Sequence, residues 1–119
     1  MKSALRGIFL TSEDPPATAA FYRDVAGLDW EEVGTGSGYV YWKLDRDGVQ
    51  LALHDAKAFA THTHPALRES NLTHLYFQIS DHKTFLEKLV VMNVPVDSQD
   101  DVVITVVDPD GRRVMFGTA

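Results

Sequence analysis

The sequence predicts an α+β fold: two tandem strand-helix-strand-strand-strand modules whose curved mixed sheets enclose a cleft, with the helices outside. Three observations predict it. A turn motif occurs twice, as Leu44-Asp45-Arg46-Asp47-Gly48 and as Val107-Asp108-Pro109-Asp110-Gly111, each between apolar, β-prone runs. Asp folds onto its own backbone and Gly takes positive φ without steric cost, so each copy reads as a hairpin. The flanks repeat as well: Asp14 and Asp81 are 67 residues apart, Gly27 and Asn93 66, and Asp45 and Asp108 63. Finally, each copy carries one apolar stripe at helical spacing, Phe21-Val25-Leu28 and Phe85-Leu89-Met92.

Taken in order, residues 5–11 form the first strand. Asp14 caps a helix that Pro15 and Pro16 can enter, because proline lacks an N–H that the first turn does not use. Gly27 ends that helix. Residues 29–33 are an outer strand, Gly34 to Gly38 a turn, and residues 39–44 and 49–54 a hairpin. Residues 56–70 link the copies and are partly helical at most. Residues 72–79 form the fifth strand, Asp81 caps the second helix, and Asn93 ends it in the left-handed conformation. Residues 94–98 are an edge strand on account of Pro95. Residues 102–107 and 112–117 close the chain. Module one is thus 1–55, the linker 56–70 and module two 71–119, together one domain of 119 residues.

Composition narrows the function. A net charge of −6 argues against nucleic acid and anionic membrane as partners. The absence of cysteine removes disulfides, thiol nucleophiles and thiolate metal sites. No run approaches the roughly 18 apolar residues of a spanning helix, so a cytoplasmic location is expected.

Strand alternation selects the side chains that face the cleft. His74, Tyr76 and Gln78 do so on the fifth strand while Leu75, Phe77 and Ile79 pack inward. Gln50, Ala52 and His54 do so on the fourth, and Arg113, Met115 and Gly117 on the eighth. Phe9 and Thr11 share a face with Gly7. The third strand offers Tyr39, Tyr41 and Lys43 on one side and Val40, Trp42 and Leu44 on the other; the tyrosines are favoured. The candidate ligand-binding set is His74, Tyr76, His54, Gln50, Arg113, Tyr41 and Met115: aromatic surface, imidazole, amide and one guanidinium, suited to a planar or aromatic small molecule. Each has a plainer reading. His54 and His74 can be satisfied interior histidines, the tyrosines sheet packing, and Arg113 a solvated surface group. The linker histidines His62 and His64 lack a neighbouring acid or cysteine to complete a metal site. The aspartates of the two turn motifs are explained by turn chemistry.

Three segments resemble the vicinal oxygen chelate superfamily, which includes glyoxalase I, the extradiol dioxygenases and the bleomycin-resistance proteins. They are Phe21-Tyr22-Arg23-Asp24-Val25-Ala26-Gly27-Leu28, His74-Leu75-Tyr76-Phe77, and Asp108-Pro109-Asp110-Gly111 with Arg113-Val114-Met115-Phe116. Metalloenzymes of that superfamily hold a divalent ion with His or Gln on the first strand, Glu on the fourth, His on the fifth and Glu on the eighth. The resemblance places these at Gly7, Ala52, His74 and Met115. Three of the four cannot coordinate a hard divalent ion, and sliding the alignment by one residue supplies no substitute. The resemblance therefore implies a metal-free, cofactor-free, homodimeric small-molecule binding protein of the bleomycin-resistance kind. The alternative is a lyase, isomerase or dioxygenase that uses His74, with Tyr76 or His54, with or without a metal.

Overall fold

The computed structural model describes residues 2, 4–60 and 75–119. The chain divides into two units, Met1–Ala66 and Leu67–Ala119. His62, His64 and His74 lie outside the described residues.

The first unit runs β1 (Gly7–Ser12), α1 (Pro15–Ala26), β2 (Glu31–Val33), β3 (Tyr41–Arg46), β4 (Val49–Asp55) and α2 (Ala56–Ala60). Its sheet has the order β1-β4-β3-β2, with β1 parallel to β4 and the other pairs antiparallel. The second unit repeats the plan with β5 (Leu75–Gln78), α3 (His82–Val91), β6 (Ser98–Gln99), β7 (Val103–Val107) and β8 (Arg113–Gly117). Its sheet order is β5-β8-β7-β6. Phe9 pairs with Ala52, and Tyr76 pairs with Met115. These partners are 67 and 63 residues apart across the copies, so the register reproduces the offsets of the sequence repeat.

Both helices begin and end on the expected residues. Asp14 accepts from the Ala17 N–H at 3.3 Å, and Gly27 closes α1 at φ 70°. Asp81 accepts from the Thr84 N–H at 2.7 Å, and Asn93 adopts φ 57°. The Thr84 N–H, as its main cause, holds the Asp81 carboxyl below the usual Asp range.

The buried stripe of α1 differs from the expected one. Thr18, Ala19, Tyr22 and Val25 are buried, whereas Phe21 and Leu28 are only partly so. The stripe is rotated because Ser12 reaches up from β1: its hydroxyl donates to Thr18 Oγ1 at 3.1 Å and accepts from the Asp14 N–H at 3.0 Å. Tyr22 therefore becomes the central ring, edge-on to Trp30 at 6.3 Å. Leu10, Leu44 and Leu53 complete this side of the sheet. In the second unit Phe85 and Leu89 of α3 are buried as expected. Phe116 lies 4.5 Å from Phe85 and 5.4 Å from Phe77. Ile104, Val106 and Val114 fill the same layer.

The edge strand expected at residues 94–98 is displaced and shortened to Ser98–Gln99. Asn93 leaves α3 in a left-handed conformation, and the Val94 N–H returns to the Leu89 carbonyl at 2.9 Å, so that segment still terminates the helix.

The two hairpin turns are physically different. In the first, Asp47 and Gly48 both have positive φ (51° and 82°), as a two-residue turn of the mirror-image type requires. Asp45 stays exposed and meets Lys43 at 3.0 Å. In the second, Pro109 and a left-handed Gly111 lengthen the turn, and the Gly111 N–H donates to the Asp108 carbonyl at 3.0 Å. Asp108 is folded under it with its side chain fully buried. One carboxylate oxygen accepts from the Asp110 and Arg112 N–H groups at 2.9 and 2.8 Å, and the other accepts from the Arg112 guanidinium at 2.6 Å.

Candidate functional site

Each sheet has one side packed on its long helix and one side that is not. In the first unit the pairing places Gly7, Phe9, Thr11, Gln50, Ala52, His54, Tyr41 and Lys43 on the second side. The side of β3 left open by the sequence is thereby settled: Tyr41 shares a side with His54.

His54 is the centre of this surface and is 9% exposed. The Tyr41 ring stacks on its imidazole at 4.8 Å and 12°. Phe59 stacks on it at 4.8 Å and 30°. Phe9 meets it edge-on at 5.5 Å, and the Tyr39 hydroxyl is hydrogen-bonded to Nδ1 at 2.8 Å. Burial, then the charge of Asp55 and then Tyr41, raises the Tyr39 hydroxyl above the usual phenol value. The phenol therefore keeps its proton near neutral pH and can donate to Nδ1. Gln50 lies four residues back along β4 on the same side, about 13 Å away by strand rise. Lys43 is held between Glu31 at 3.8 Å and Asp45 at 3.0 Å.

Phe59 is the contributor that sequence reading missed. It belongs to α2, in the stretch read as linker, and α2 lies on the side of the sheet opposite α1. Asp55 starts it by accepting from the Ala58 N–H at 2.9 Å. The only signal in the sequence was an aspartate cap followed four residues later by an aromatic.

In the second unit Tyr76, Met115 and Arg113 share the side of the sheet away from α3. They are less concentrated than the first set. The Tyr76 hydroxyl donates to the Ala119 carbonyl at 2.8 Å, and its ring lies across Gly117. The Arg113 Nε donates to Asp97 at 3.3 Å and remains exposed. Met115 sits between Tyr76 and Thr105 in the ladder. The structure thus brings His54 and Tyr41 into contact, leaves Gln50 on the same side but about 13 Å along β4, and separately aligns Tyr76, Met115 and Arg113.

The positions that the resemblance assigns to a metal do not fit one. A Cβ added at Gly7 would stand 2.8 Å from the Phe9 ring, which fills the space a ligating side chain needs. Ala52 is completely buried. Met115 offers only a thioether, a poor ligand for hard divalent ions. Among the described residues no group of three His, Cys, Asp or Glu side chains could hold a metal.

Repeated modules, each a four-stranded mixed sheet with one long helix on one side, define an α+β fold of the glyoxalase/bleomycin-resistance/dioxygenase kind, and solved structures share it over nearly the whole chain. Lactoylglutathione lyase from Agrobacterium tumefaciens superposes with a TM-score of 0.68 at 22% identity, covering 98% of this chain and 94% of that one. The fosfomycin resistance protein FosX from Listeria monocytogenes gives 0.68 at 20%, covering 100% and 93%. A glyoxalase/bleomycin resistance protein/dioxygenase from Nocardioides gives 0.71 at 22%, covering 98% and 83%. No protein-family model and no curated protein matches the chain. The chain has the fold of the vicinal oxygen chelate superfamily; identities this low carry the fold and not the reaction. No helix among the described residues is long and apolar enough to cross a membrane.

Proposed function

We propose that the chain is a small-molecule binding protein that works without a divalent metal. It holds a planar, uncharged or weakly polar ligand against the aromatic side of the first sheet. The observation that carries this reading is the collection of Phe9, Tyr39, Tyr41 and Phe59 around one buried imidazole. A sheet surface that only needed cover would be served by aliphatic side chains; offset and edge-on rings add a geometric preference for another ring.

The Tyr39–His54 hydrogen bond favours a second reading, in which His54 moves a proton on the bound molecule. Both readings are tested by one panel of planar aromatics, 2-oxo aldehydes, thiol adducts, catechols and epoxides. Thermal shift reports binding and product analysis reports turnover. Planar compounds that raise the melting point of the chain but not of His54→Ala support the site. Turnover abolished in His54→Ala moves the account to the second reading. A panel that shifts nothing contradicts both. Homodimerisation, by which a second subunit covers an open sheet side, belongs to the same proposal, and light scattering at working concentration tests it.

A further inference from the structure

We infer that Tyr39 is the positioning residue of His54: its hydroxyl, 2.8 Å from Nδ1, donates there and so keeps the hydrogen of the neutral imidazole on Nε2. His54 then meets a bound molecule as a hydrogen-bond donor and not as a base. This rests on the reading above and adds to it the ligand class: a planar molecule that presents an acceptor oxygen, of a carbonyl, lactone or ether, to the imidazole.

The direction of the Tyr39–His54 bond follows from the chemistry of its two partners. A neutral imidazole has one N–H and one bare nitrogen, and the bond made at one nitrogen sets the state of the other. The imidazole nitrogen is the base of the pair: it takes a proton at about pH 6.5, whereas a phenol releases one only near about 10. The hydroxyl hydrogen therefore points at the bare nitrogen. Burial, first, and then the charge of Asp55 keep the phenol protonated, so it has that hydrogen to give.

The surroundings hold the ring in place. Tyr41 and Phe59 both stack on the imidazole at 4.8 Å, which fixes its plane. A half-turn within that plane's axis would set Cδ2 against the Tyr39 hydroxyl and lose the bond, so the bond also fixes which way the nitrogens face. Phe9 lies 5.5 Å from the imidazole and is 53% exposed, a flat surface beside it for the ring of a ligand.

The experiment has two arms, both on the full chain. In the first, the nitrogens of isotope-labelled histidines are read by NMR at about pH 8.5, where ordinary imidazoles are neutral. His82 supplies the reference, because its Nε2 lies 2.8 Å from the Asp100 carbonyl, which can only accept. His54, assigned by the signals lost in His54→Ala, should show the same pattern, with the hydrogen on Nε2 and Nδ1 bare. Tyr39→Phe keeps the ring and removes the hydroxyl; there the His54 Nδ1 signal should move while those of His82 stay. A hydrogen on Nδ1 in the parent overturns the inference, and so does a His54 spectrum indifferent to Tyr39→Phe. Should Tyr39→Phe fail to fold by far-UV circular dichroism, the tautomer of the parent decides. In the second arm, coumarin, whose lactone carbonyl accepts, is compared with indole, whose one polar group donates. The parent should bind coumarin about fivefold tighter than indole, the worth of one net hydrogen bond, and Tyr39→Phe should bring the two within about twofold. Comparing the ratio in parent and variant cancels differences between the compounds that do not involve His54. An unchanged ratio overturns the ligand class and leaves the positioning role standing. If neither compound binds the parent, the proposed site falls with the ligand class, and the first arm still decides the role of Tyr39.

Discussion

Replacing Asp108 by alanine should cost far more stability than the same change at Asp45, although the two occupy the same position of the repeated turn motif. The Asp108 carboxylate accepts from two turn N–H groups and from the Arg112 guanidinium, and it is out of water. Removing one partner of a buried ion pair costs about 3–5 kcal/mol, because the other charge stays desolvated. Arg112 is still 14% exposed at its side chain and the turn N–H groups lie near the surface, so the lower end applies, about 3 kcal/mol. For a chain of this size that lowers the melting point by roughly 10 °C. Asp45 is 58% exposed at its side chain, and its carboxylate meets Lys43 at 3.0 Å. An exposed pair contributes about 0–1 kcal/mol, so Asp45→Ala should shift the melting point by no more than about 3 °C. Urea titration followed by far-UV circular dichroism measures both. Equal effects of the two substitutions, or an Asp108→Ala cost under about 1 kcal/mol, would refute the account of the second turn.

Gly117→Ala should destabilise by about 1 kcal/mol, since the new Cβ would meet the Tyr76 hydroxyl and stand 2.9 Å from its ring carbon Cζ, and the half-exposed Tyr76 ring must give way. Adding Tyr76→Ala should remove most of that cost, and the non-additivity of the pair in denaturant titration is the measurement. Asp81 has a folded-state pKa below its ordinary value of 3.8, so its stabilising contribution is present above that value and is lost as pH falls through the lowered one. The stability curves of the parent and Asp81→Asn should therefore be separated near neutrality and converge in acid; parallel curves throughout would be the contrary result.

Much of the fold was legible because its punctuation is local. Asp14, Asp81, Gly27 and Asn93 cap helices through bonds within a few residues, and Asp47-Gly48 specifies its turn unaided. The offsets of 67, 66 and 63 residues across the copies also showed that both halves follow one plan. What the sequence hid was set by tertiary contact. Nothing in the spacing of α1 says that Ser12 bonds Thr18 and so rotates Tyr22, instead of Phe21, into the core. Likewise, Asp45 and Asp108 look equivalent until Pro109 lengthens one turn and brings Arg112 over the carboxylate. Alternation correctly put Gln50, Tyr41 and His54 on one side of a sheet, and Tyr76, Met115 and Arg113 on one side of the other. It could not foresee that Tyr76 is committed to Ala119 and Arg113 to Asp97, because both partners come from distant segments. Phe59 was missed for the opposite reason: a single aromatic in a short helix carries no period to detect.

The claim on which the rest depends is that the aromatic side of the first sheet binds a flat ligand without a metal. Isothermal titration of the strongest planar compound from the panel, into protein dialysed against a chelator, tests it most directly. The account predicts unchanged affinity after chelation and loss of binding in His54→Ala. Binding that disappears with the chelator and returns on adding a divalent cation, or that is indifferent to His54, would contradict it.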